Sequence, residues 1–156
     1  MRSEQQLTIM NKSLEAIGLI VIHASHLERE IESLCTFFID RFPRSECPNT
    51  AGTRKKIQWM QKCIKQLNTN QLIDLSKKLD KANNLLSKRN DIVHGQIFIS
   101  DLPDQLICIN ERASSKQKRL MSSELFKLAE DINISHTNLS FGTVSKLVCA
   151  IYEEHA

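Results

Sequence analysis

The stretch Ser87-Lys88-Arg89-Asn90-Asp91-Ile92-Val93-His94-Gly95 closes a long helical segment, and its reading decides the fold. Leu72, Leu75, Leu79, Ala82, Leu86 and Val93 recur at helical spacing and form one face of a helix that begins near Asn70. At about 100° per residue, Arg89 falls inside that apolar stripe. Asn83, Ser87, Asn90 and His94 make an uncharged polar ridge along one edge, and Lys77, Asp80, Lys81, Lys88 and Asp91 lie further round. An arginine on an apolar face requires a partner, because an unpaired buried guanidinium is very costly. A carboxylate of the protein, a second subunit or an anionic substrate would each serve.

Working back from this helix, residues 68–70 read as a short turn with Asn70 as its N-cap. A second helix is expected over residues 53–67, with Ile57, Met60, Ile64 and Leu67 inward and Arg54, Lys55, Lys56, Lys62 and Lys65 outward. The two helices then form an antiparallel hairpin. Pro43, Pro48, Asn49 and Gly52 mark a loop before them. A first helix runs from before Leu14 to about Asp40, with a stripe of Leu14, Ile17, Val21, Ala24, Leu27, Ile31, Leu34, Cys35 and Phe38. Leu19, Ile20, Ile22 and Phe37 broaden that stripe, so the helix must pack on two sides.

Working forward, Gly95 suits a helix C-cap, and the apolar period then changes from about 3.6 to 2. Residues 96–100 and 105–110 flank the turn residues 101–104 and predict a β-hairpin. Residues 111–119 are polar and basic and read as a mobile loop. Ser122 or Ser123 can cap a last helix with Glu124 in its first turn and Leu125, Leu128, Ile132, Leu139, Leu147, Val148 and Ile151 as its stripe. Residues 133–140 and Gly142 are weak helix sequence, so a bend or split is expected there.

The chain has 156 residues, 41% of them hydrophobic and 25% charged, which suits one globular domain over residues 1–156. Its net charge of +3 is too mild for a protein that coats nucleic acid, though a local basic patch is compatible with it. Five scattered cysteines without a Cys-x-x-Cys pair argue against structural zinc and a disulfide framework and fit the cytoplasm. The most apolar uncharged run, residues 16–27, is too short to span a membrane. No signal peptide is expected, since Glu4 and Glu15 interrupt the N-terminus.

Arg89 and His94 fit an R-x4-H pattern, and Asn90 directly after the arginine matches its commonest form. The motif sits late in a third long helix, followed by a glycine, strand-like sequence and a further helix. In this it resembles the HEPN family across most of the chain. The resemblance implies an all-α, HEPN-like bundle of four to five helices with a small β-hairpin after the third. It also implies a metal-independent endoribonuclease that needs no cofactor, formed as a homodimer whose two motifs meet in one cleft. Toxin–antitoxin or defence biology, with an antitoxin or other protein partner, goes with that family. His94 would be the general acid or base at the RNA backbone, Arg89 the phosphate clamp and Asn90 an orienting amide. Some HEPN toxins carry a tyrosine two residues after the histidine; Gln96 stands there, which sets aside regulation through that residue.

Around one helix, Arg89 and His94 lie about 140° apart, so a shared cleft suits them better than a lone monomer. Other readings remain open. The chain fits a non-catalytic HEPN-like module binding RNA, a nucleotide or a partner protein, or a dimeric scaffold tied by Arg89, with His94 stabilised by the helix dipole. Arg112, Lys116, Lys118 and Arg119 are the further RNA-contact candidates. His23, His26 and Glu30 have metal-compatible spacing but lack a fourth ligand, and a solvated helix face accounts for them. Trp59 and Tyr152 read as packing or interface residues.

Overall fold

The computed structural model describes residues 4–42, 52–67, 69–100, 102, 105–109 and 117–155. The chain is mainly α-helical, with elements in the order α1 (Glu4–Arg41), α2 (Thr53–Leu67), α3 (Asn70–Val93), β1 (Gln96–Ile99), β2 (Gln105–Ile109), β3 (Gln117–Met121), α4 (Ser122–Asn138) and α5 (Phe141–His155). Two compact units emerge: residues 1–24 with 85–133, and residues 25–84 with 134–156. Helices α1, α3 and α4 contribute residues to both.

In the first unit, α1 buries Ser13, Ala16, Ile20 and Ala24. The predicted stripe is corrected here, because Leu14 and Val21 are 57% and 43% exposed. Both ridges are apolar in sequence, and the one with the smaller side chains is packed inward. The predicted β-hairpin is a three-stranded antiparallel sheet in the order β1-β2-β3. Its third strand comes from sequence expected to be loop. β3 is an edge strand in which, among the side chains described, Leu120 alone is buried, and lysine and arginine at an edge discourage pairing with other chains. Central β2 turns Leu106 and Cys108 inward. At the start of α4, Glu124 Oε2 accepts the Met121 N–H at 2.8 Å, so the acid three residues into the motif caps the helix. Ser122, expected as the cap, shares a 3.1 Å hydrogen bond with Ser13.

The second unit packs Leu27, Ile31, Leu34 and Phe38 of α1 with Ile57, Met60 and Ile64 of α2, Leu72, Leu75 and Leu79 of α3, and Val148 and Ile151 of α5 in its core. The α2–α3 pairing is visible in Gln61, whose side-chain amide donates to Asp80 at 2.8 Å and to the Ser76 carbonyl at 3.2 Å. The expected split of the last helix falls between Asn138 and Phe141. Ser140 and Thr143 hydroxyls bond at 2.9 Å, and Glu30 Oε2 accepts the Phe141 N–H at 2.9 Å, satisfying the first turn of α5. Lys56, expected on the outer face, is buried and paired with Glu32. Phe37 meets Phe141 edge-on, Phe38 stacks on Phe42, and the Arg41 guanidinium lies over the Phe37 ring.

By length and composition alone, α1 is apolar enough to cross a membrane: an 18-residue window in it reaches a mean hydropathy of 1.3 with at most two charged residues. An uncharged-run criterion misses that window because charges such as Lys12 and Glu15 interrupt the run.

Candidate functional site

The C-terminal half of α3 buries Leu85, Leu86 and Ile92, each at most 5% exposed. Val93, predicted to continue the apolar stripe, is 40% exposed. At the end of the helix the inward position is Ile92 rather than Val93, a shift of one residue, while Leu86 stays buried as predicted. Arg89 is consequently half-buried, whereas Asn90 and His94 are exposed. The His94 N–H donates to the Asn90 carbonyl at 3.0 Å, which continues the helical bonding one residue past Val93.

Gly95 ends the helix through close contact. Its φ lies outside the left-handed region, so the glycine is not a left-handed cap. A Cβ there would collide with Cys108 Sγ and lie 2.8 Å from the Asp91 carbonyl oxygen. The absent side chain lets β2 come up against the end of α3, and β1 starts immediately beyond His94. The Cys108 thiol donates to the Asp91 carbonyl at 3.5 Å. Burial pushes this thiol up from its ordinary range, with Asp91 adding to the effect and Lys118 opposing it.

Of the four predicted RNA-contact residues, Lys118 and Arg119 are exposed on β3, in the same unit as the motif. Arg112 and Lys116 lie outside the described residues. So does the Tyr152 side chain, while Trp59 is a core residue at 6% exposure. Glu30 plays a structural role. It caps α5, and its Oε1 lies 3.6 Å from His136 Nε2, while the His136 ring packs on that of His26. Nothing in the sequence connects Glu30 with His136, since more than a hundred residues separate them. Among the described residues, no group of three or more His, Cys, Asp or Glu could hold a metal ion. Two surface clefts, of about 380 and 460 Å³, open elsewhere and include none of Arg89, Asn90 and His94.

No family model, curated protein or solved structure matches the chain. Function is therefore read from the chemistry of these residues. An exposed imidazole at the end of a helix can serve as a general acid or base. A guanidinium one turn earlier can bind a phosphate oxygen. One surface residue was overlooked in the sequence: Phe98, 47% exposed on β1. Its signal was the two-residue alternation of residues 96–99, which separates Phe98 from its isoleucine neighbours.

Proposed function

We propose that this chain is a metal-independent endoribonuclease of the HEPN type, acting as a cytoplasmic homodimer with Arg89, Asn90 and His94 in its site. The observation that carries the reading is the solvent exposure of Asn90 and His94 on the turn that also holds half-buried Arg89. A packing histidine would be covered; this one is open to a substrate. Neutral His94 takes the proton of a ribose 2′-hydroxyl as that oxygen attacks the adjacent phosphorus. The bond from phosphorus to the 5′-oxygen breaks, and an imidazolium returns a proton to that oxygen. The products are a 2′,3′-cyclic phosphate and a 5′-hydroxyl. Arg89 offsets charge growing on the phosphate oxygens, and Asn90 orients the phosphate or the imidazole.

Surface composition supports the homodimer. Among the described residues, nine of the twelve exposed large apolar side chains belong to the unit that carries the motif. Leu7, Leu14 and Val21 of α1 recur every seven residues, the period of a helix–helix seam. Gly18 lies between them, and a Cβ there would meet nothing within 4 Å, so packing inside the chain does not require this glycine. An apolar seam and Val93 beside His94 are what a second copy would cover. A toxin or defence role, held in check by a partner protein, accompanies the family resemblance.

The test is cleavage of labelled RNA in EDTA by the wild type, Arg89→Ala and His94→Ala. Cleavage that persists in EDTA, leaves cyclic phosphate ends and disappears in both folded variants is expected. If a folded, dimeric wild type leaves every RNA intact, the catalytic reading fails. The non-catalytic module would then stand.

A further inference from the structure

The β-sheet has one packed face and one open face. Paired residues of an antiparallel sheet point to the same side, and successive residues alternate. The register pairs Ile97 with Cys108 and Lys118, and Ile99 with Leu106 and Leu120. Leu106, Cys108 and Leu120 are at most 5% exposed, so this is the inward face. The other face carries the row Phe98, Ile107 and Arg119, with Gln96 and Gln105 in flanking rows and Met121 at one end. Phe98 is 47% and Met121 43% exposed, and Arg119 is also open to solvent.

We infer that this open sheet face is a binding platform for single-stranded RNA, on which Phe98 stacks an unpaired base and Arg119 holds the backbone. The inference deepens the ribonuclease reading by naming the form of its substrate, and rests on that reading for RNA as the ligand. Three features favour this occupant. A half-exposed aromatic ring on a solvated sheet face can stack with any base, and stacking is tolerant of sequence. Arg119 stands two strands from Phe98 in the same row, about 10 Å away, and supplies the positive charge that a phosphodiester requires. Lys118 and Arg119 are exposed neighbours on β3, so this edge of the sheet presents positive charge to a polyanion. Exposed Gln96 adds an amide that can read a base edge. The strand carrying Phe98 begins two residues after His94, so a strand seated here is led toward the imidazole. Duplex RNA does not satisfy the platform, because its bases are already stacked on one another.

The experiment is fluorescence anisotropy of wild-type protein with a short, mixed-sequence, 2′-O-methylated RNA, which cannot be cleaved, as a single strand and as a duplex. Single-strand binding tighter than duplex binding is expected. Phe98→Ala should weaken it roughly tenfold to a hundredfold, and Phe98→Trp should restore it. Arg119→Ala should weaken binding and flatten its salt dependence by slightly less than one counterion. Equal affinity for the two forms, or unchanged affinity in a Phe98→Ala protein with native circular dichroism, overturns the inference. So does a change in oligomeric mass on Phe98→Ala without any effect on RNA, which would assign the face to a protein. Because the probe cannot be cut, binding without cleavage of natural RNA fails only the catalytic reading. Cleavage by a Phe98→Ala protein with undiminished affinity fails only the platform.

Discussion

The two compact units treat their surfaces differently. In the unit built from residues 25–84 and 134–156, polar groups are used to hold the chain together: buried Lys56 is paired with Glu32, Gln61 links α2 to α3, and Glu30 joins His136 to the start of α5. The unit of residues 1–24 and 85–133 holds the R-x4-H motif, the sheet and most of the exposed apolar side chains. Both units have buried cores, and the contrast lies at the surface: one ties polar side chains into links within the chain, and the other leaves more of its large apolar side chains exposed.

The largest expected effect comes from removing a core side chain of the unit rich in polar links. Phe38→Ala should cost about 3–5 kcal/mol in urea unfolding, since Phe38 is 1% exposed. The single tryptophan, Trp59, lies in the same unit and reports the transition by fluorescence. Gly95→Ala follows at about 2 kcal/mol, because the added methyl collides with Cys108 Sγ and must push β2 away from α3. It should also reduce RNA cleavage by displacing His94. Glu32→Ala leaves the Lys56 ammonium buried without its carboxylate, but Glu32 is itself 59% exposed and water softens the loss. About 1 kcal/mol is expected, and Lys56→Met should be nearer neutral.

His94→Ala should change stability by less than about 0.5 kcal/mol while abolishing cleavage, because the side chain is exposed. A large loss of stability there would break the contrast. The smallest effect concerns Cys108. Its folded pKa lies above the unfolded value, so the unfolded chain ionises first as pH rises. Stability is unaffected below the ordinary thiol range and declines slightly as pH climbs toward the raised folded value. Iodoacetamide at pH 8 should accordingly label Cys108 more slowly in the native protein than in urea.

Much of the helical scheme was legible. Helix α2 occupies the predicted residues because its apolar spacing and flanking turn signals agree. The break near Ser140 was visible in weak helix formers. On α1, Ala24, Leu27, Ile31, Leu34, Cys35 and Phe38 are buried as predicted, but the first part of the stripe was not legible, because Leu14, Ile17 and Val21 compete with Ala16 and Ile20 and only tertiary packing chooses between them. Strand β3 was hidden because an edge strand needs only one inward residue, Leu120. Lys56 was misread because a lysine on a basic helix looks like its neighbours until Glu32 is brought to it. At the candidate site, the location of Arg89, Asn90 and His94 late in α3 was legible. The one-residue shift that exposes Val93 was not, since Ile92 and Val93 are equally apolar.

The junction between β3 and α4 contains no loop residue: Met121 ends the strand and Ser122 begins the helix. Strand register and helix rotation are therefore locked in phase. A strand repeats every two residues and a helix turns about 100° with each one. Inserting one alanine between Met121 and Ser122 would therefore either turn Leu125, Ala129 and Ile132 away from the core or flip Leu120 off the inner face of the sheet. The chain has no slack there to absorb the change. The edge of the sheet thus acts as the timing mark from which the whole of α4 is set.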